Sequence, residues 1–140
     1  MQSFLLHLHS GWAYVVVLLT LVLLVMVLMS FFSKKPVTAG LRKISFYTTL
    51  AFHIQFLVGI GLYLVSPIVQ NSWQAGTAMQ TGPRLYTLEH PLMMFTAVIL
   101  ITIANAQIKR ATVLRPATLI FLVLALLCFY MIPWTAWLNL

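Results

Sequence analysis

His7, His9, His53 and His90, with Glu89 as the only acidic residue, stand in a 140-residue chain that is 62% hydrophobic and 6% charged. Imidazoles in such a setting can ligate a metal or a haem iron, or carry protons. A carboxylate beside one of them can orient its ring or accept a proton. Glu89 and His90 are adjacent and precede Pro91, with Arg84 five residues upstream. His7 and His9 are two residues apart, which turns a helix by about 200°. One of the two can therefore face a packed interior. His9 lies deeper and is the candidate, while His7 is either wet or a ligand in the opposite register.

The elements that must hold these side chains are apolar runs. Gly11–Phe32, Ser45–Ser66, Leu88–Ile108 and Pro116–Leu138 carry no Lys or Arg. About 20 apolar residues at about 1.5 Å rise cross a hydrocarbon layer of roughly 30 Å. Extended to their flanks, the runs predict helices over about 4–32, 45–66, 84–108 and 116–138. The expected fold is all-α, an integral membrane four-helix up-down bundle occupying residues 1–140 as a single domain. Pro36 and Gly40 read as breakers in the first link, and Pro67, Gly76, Gly82 and Pro83 as loop residues in the second. Pro116 suits the first turn of the fourth helix.

Composition excludes the soluble class. Seven of the eight Lys and Arg residues fall between runs one and two (Lys34, Lys35, Arg42, Lys43) or three and four (Lys109, Arg110, Arg115). Positive-inside bias makes that side cytoplasmic and puts both termini outside. Trp12, Trp73, Trp134 and Trp137 collect at the opposite end and read as an aromatic belt. The net charge of +7 is accounted for by topology and anionic lipid, so no nucleic acid is expected as a partner. Cys128 reads as a small buried hydrophobe. The N-terminus, without Lys or Arg before the first run, does not read as a signal peptide.

Depth sorts the histidines. His9 and His90 both lie close to the outer start of an inward-running helix. Their helices, first and third, would be diagonal in the bundle and about 14 Å apart. That gap suits a haem b held between two axial imidazoles. His53 lies about 12 Å from the inner start of the second helix, near the midplane. It stands on a stripe with Ser45 and Thr49 and has no histidine opposite it. It is either a neutral ring hydrogen-bonded across the bundle or a ligand of another kind. Glu89 and Arg84 either form a salt bridge or make a quinol or proton site at the outer mouth. If the third helix begins near Arg84, Pro91 frees the carbonyl of Thr87. Met93 and Met94 beside His90 keep copper as a minor alternative.

The stretches His7-Leu8-His9-Ser10-Gly11 and His53-Ile54-Gln55 carry a resemblance. With them go Gly59, Gly61, Leu62 and Tyr63, then Arg84, Thr87, Glu89, His90, Met93 and Met94. In these residues the chain resembles short four-span bacterial cytochrome-b-like membrane proteins, and more loosely one half of a haem A synthase. The likeness implies haem, and favours His9, His53 and His90 as cofactor-binding residues. The expectation is a haem b protein of the bacterial inner membrane that transfers electrons, linked to quinol oxidation at the outer face. It would act within a larger membrane complex or a homo-oligomer, as a carrier or subunit more readily than as an autonomous enzyme. A cofactor-free accessory subunit of a respiratory or transport complex is the alternative, and a haem- or copper-handling membrane protein the second.

Overall fold

A computed structural model describes residues 1–138, so the last two residues of the 1–140 unit lie outside it. The described residues are helical and loop, with no strand among them. The elements are α1 (Gln2–Phe32), α2 (Ala39–Val65), α3 (Pro67–Gln74), α4 (His90–Arg110), α5 (Pro116–Leu127) and α6 (Trp134–Leu138). A π-helical turn, Leu85–Glu89, leads into α4, and a 3₁₀ turn, Cys128–Met131, continues α5. Among the described residues α1, α2 and the stretch Leu85–Arg110 are long and apolar enough to cross a membrane. The fourth apolar stretch, Pro116–Met131, is shorter.

Two expected boundaries are corrected. The second helix begins at Ala39, not near residue 45, because Thr38 is extended and its side chain accepts a hydrogen bond from the Leu41 amide. That cap satisfies one of the orphan donors of the first turn, and Gly40 so close to the N-terminus does not break the helix. The fourth helix does not run through to 138. Pro133 has no N–H and would clash with the carbonyl of Phe129, while the residue before a proline is pushed into an extended conformation. Ile132 is extended accordingly, with ψ 134°.

Each long helix packs on the next in the chain, α1 on α2, α2 on α4 and α4 on α5, and α5 returns to touch α1. Neighbours are antiparallel: Trp12, early in α1, donates to the Ala51 carbonyl at 3.0 Å, and Thr118, early in α5, donates to Gln107, late in α4, at 2.8 Å. Leu23, Val27, Leu41, Ile101, Ile108 and Leu122 are fully buried between the helices. So are four small polar residues, Thr20, Ser45, Thr48 and Thr118. Small side chains let helix backbones approach closely, and in lipid each hydroxyl must be satisfied from within. Thr20 and Thr48 donate to the carbonyls of Val16 and Ile44 on their own helices, and Ser45 crosses to Asn105 on α4 at 2.9 Å.

Seven of the eight basic residues lie at the end opposite the tryptophans, and Arg84 alone shares the tryptophans' end. At the basic end the Val37 amide donates to the Thr112 carbonyl at 2.8 Å, joining the two links. Beside it Arg42 reaches from α2 to the C-terminus of α4 and donates to the carbonyls of Ile108, Lys109 and Ala111. The last carbonyls of a helix lack intrahelical partners and carry the negative end of its dipole, so a guanidinium is a strong cap there. Replacing Arg42 by Ala should lower stability by about 2 kcal/mol, the range for hydrogen bonds to a charged group. The check is thermal unfolding in detergent, with Lys35→Ala as an exposed control expected within about 0.5 kcal/mol of the parent.

Candidate functional site

Near the aromatic end the helices line a largely apolar, partly open cavity of about 520 Å³ whose polar lining includes His9, Gln55, Tyr63 and His90. That volume falls in the range of small-molecule and cofactor sites. The two histidine rings meet across it with centroids 6.2 Å apart and planes at 88°. The expected pairing of His9 with His90 thus appears as proximity, much closer than a separation of about 14 Å between diagonal helix axes suggests, because both side chains reach inward.

The His90 ring is set by a helix break. Where the 3₁₀ turn that follows α5 ends, the Met131 carbonyl is left free, and the Nδ1–H of His90 donates to it at 3.1 Å. A carbonyl can only accept, so the neutral ring carries its proton on Nδ1 and keeps a lone pair on Nε2. This is the tautomer and the type of anchoring found in ligating histidines, whose second nitrogen is held by a backbone carbonyl or a carboxylate. The Nε2 atom makes no hydrogen bond among the described residues.

His9 is seated against α2. The Gln55 amide donates to the His9 carbonyl at 2.9 Å and lies 3.4 Å from its Nε2. Gly59, one turn on, leaves room for the ring: a Cβ there would meet His9 Cε1 at 3.0 Å. Nδ1 of His9 and Oε1 of Gln55 are both buried without a partner. Orphaned polar atoms are uncommon in native interiors and call for a ligand, a water or an ion. Gln55, Gly59 and Tyr63 are spaced by four residues and lie along one side of α2. That polar, small and aromatic ladder in an apolar helix is the sequence signal that marks them.

Tyr63 answers the second break. The third span does begin upstream of Pro91, at Leu85. Pro91 cannot donate to the Thr87 carbonyl, and the Tyr63 hydroxyl does so instead at 3.0 Å. Trp73 in turn donates to the Tyr63 oxygen at 3.1 Å. Thr87 is buried, its hydroxyl donating to the carbonyls of Ala78 and Pro83.

The remaining candidates lie elsewhere. His53 is exposed on the outer face of α2, and its Nδ1–H donates to the Thr49 carbonyl at 2.8 Å on its own helix. It makes no bond across the helices and does not line the cavity. Ser45 and Thr49 on the same stripe are buried, but each four-residue step advances about 40° around the helix. Two steps carry His53 out of the packed face. His7 is exposed. Arg84 and Glu89 form a salt bridge at 2.7 Å that is partly open to the surroundings and does not line the cavity. Met94 does line it, and Met93 packs against the core. Trp12 and Trp137 are not simple belt residues, since each indole N–H ties down a backbone carbonyl, that of Ala51 and of Ser10 respectively. Trp73 and Trp134 are exposed.

Among the described residues no three His, Cys, Asp or Glu side chains gather as a closed metal site would require. A haem needs only its two axial donors from the protein. Comparison with known proteins adds no constraint: no protein-family model, curated protein or solved structure matches the chain. The likeness to cytochrome-b-like proteins therefore rests on the quoted residues alone.

The seat of His9 can be tested by two glycines of one helix. Alanine gains about 1 kcal/mol over glycine in a helix interior. At Gly61 a Cβ would meet Leu5 Cδ1 at an ordinary 3.8 Å, so Gly61→Ala should be neutral or mildly stabilising. At Gly59 the His9 ring must shift, and overpacking of this kind costs about 1–3 kcal/mol. Gly59→Ala should therefore melt below Gly61→Ala in detergent; equal melting temperatures would show that His9 does not rest on α2.

Proposed function

We propose that this chain is a membrane haem b protein for electron transfer, with His9 and His90 as the axial ligands. The observation that carries the reading is the meeting of two imidazoles across an apolar cavity of cofactor size, one with its proton committed to a backbone carbonyl and the other with an orphaned nitrogen. The spacing fits. Two rings on one metal at about 2 Å per metal–nitrogen bond, plus the reach from nitrogen to ring centre, put the centroids roughly 6 Å apart. The rings' perpendicular planes are compatible with this. The nitrogens of His9 now face Gln55 and Gly59, so ligation requires that ring to turn toward His90. The bound group would supply a one-electron centre. The protein's part is to hold the rings, exclude water and tune the potential by burial.

In this reading the chain is a four-span up-down bundle whose short last span is closed by α6. Its basic end faces the cytoplasm of a bacterial cell and both termini lie outside. A quinol arriving from lipid at the aromatic end would meet Glu89, whose carboxylate must first release Arg84 to take a proton. The second reading, a cofactor-free accessory subunit, draws on His53. An imidazole exposed on a span near mid-depth is costly in lipid, and a neighbouring subunit or a second copy would cover it. Copper handling would use Met94 with the same two histidines.

An absorption spectrum of the purified full-length chain, oxidised and then reduced with dithionite, tests this. A Soret band with sharp reduced bands is expected, lost in His9→Ala and in His90→Ala but kept in His53→Ala and His7→Ala. A folded, colourless preparation that takes up no added haem sinks the reading, and copper analysis of the same sample tests the metal alternative. With haem bound, Glu89→Gln should slow reduction by a quinol several-fold while leaving the dithionite-reduced spectrum unchanged.

A further inference from the structure

The basic end holds a second cavity, of about 440 Å³, lined by Arg42, Lys43, Phe46 and Tyr47 of α2 and by Asn105 and Lys109 of α4. Its polar chemistry is one-sided. Lys43 and Lys109 are exposed and form no salt bridge among the described residues. Asn105 accepts from Ser45 through Oδ1, and Ser45 is fully buried. The amide is thereby oriented, leaving its two N–H groups to donate. Arg42 spends three N–H groups on the carbonyls of Ile108, Lys109 and Ala111, and a guanidinium has five. The chain's one acidic side chain, Glu89, is at the other end and paired with Arg84. A concave site that offers cations and N–H donors, and no carboxylate, selects an anion.

The C-terminus of α4 presents the negative end of a helix dipole to the same region. Arg42 sits on those carbonyls and offsets it, so the charge of Lys43 and Lys109 is left over for a ligand. Lysines near a membrane end also attract anionic lipid diffusely, without any site. Here, however, the lysines flank a cavity with an oriented amide. Phe46 and Tyr47, 55% and 53% exposed, extend the lining along the lipid-facing side of α2, where a glycerol backbone and acyl chains would lie. Basic pockets between membrane helices are suited to phosphate headgroups.

We propose that this cavity binds the phosphate headgroup of an anionic phospholipid. The phosphate sits between Lys43 and Lys109 and accepts from the Asn105 amide and the remaining Arg42 donors, and its acyl chains lie along Phe46 and Tyr47. The site is independent of the histidine cavity and of whether haem is bound there.

Native mass spectrometry of the full-length chain in detergent, with equimolar phosphatidylglycerol and phosphatidylcholine, tests the assignment. Phosphatidylglycerol should be retained about tenfold or more over phosphatidylcholine, each lysine near the surface contributing roughly fivefold. The double variant Lys43→Gln/Lys109→Gln should fall to near parity. Lys34→Gln/Lys35→Gln removes the same charge from the same end and should keep the preference. Millimolar inorganic phosphate should neither bind alone nor displace the lipid. Equal retention of both lipids by the parent overturns the proposal, as does an equal loss in the two double variants, which would mean diffuse attraction only. Displacement by inorganic phosphate would assign the site to a free anion instead.

Discussion

A backbone carbonyl freed inside a membrane bundle must find a donor from the protein, because lipid offers none. Two prolines create that demand here, and the cavity is built around the answers. Pro91 strips the Thr87 carbonyl of its helical partner and Tyr63 covers it; Pro133 ends the last apolar helix and leaves the Met131 carbonyl to His90. Both donors line the cavity. His90 is therefore oriented by a break in another helix, and the tautomer that leaves its Nε2 lone pair free follows from it. A continuous fourth helix would bind its own carbonyls and leave this ring without its anchor.

The other half of the site is less settled energetically. A buried polar atom without a partner costs about 1–3 kcal/mol, and His9 Nδ1 and Gln55 Oε1 are two such atoms. Interior water would satisfy such atoms at little cost. Ligation would instead turn the His9 ring toward His90 and free Gln55 to keep its bond to the His9 carbonyl. Either way Gln55 and Gly59 fix the level of His9 on α2. The space that Gly59 leaves is a requirement of the ring, since glycine is otherwise a poor choice within a helix.

Apolar length alone made α1, α2 and the third span legible in the sequence, and the run starts put His9 and His90 at one depth. The misses share a cause: hydropathy is blind to where backbone hydrogen bonds end. Thr38 starts α2 six residues ahead of the apolar run because a capping side chain, not hydrophobicity, decides the first turn. Pro133 sits in a run whose composition reads as helix throughout, and its consequence for Met131 and His90 needs tertiary contact to appear. Three residues on one sequence stripe, Ser45, Thr49 and His53, part company because a four-residue step overshoots the helical turn. Gln55, Gly59 and Tyr63 show the opposite case, since their spacing was visible while its meaning depended on which ring faced them.

The two ends of the molecule hold cavities of different chemistry, and that difference bears on any redox role. At the basic end Arg42 binds three carbonyls of the neighbouring helix, Ser45, Thr48 and Thr118 are fully buried, and the smaller, cationic cavity opens beside them. The larger cavity lies toward the aromatic end, where the helices are interrupted. A single centre between His9 and His90 would therefore stand near one face of the bilayer and far from the other. His53, the one imidazole at mid-depth, faces away from the cavity and offers no relay through the interior. Under the haem reading, electrons enter and leave on the aromatic side or sideways into an adjoining subunit. Passage across the membrane would, under that reading, need a second centre. Under the accessory-subunit reading, the exposed face of α2 that carries His53 is where such a neighbour would relieve an unfavourable contact with lipid.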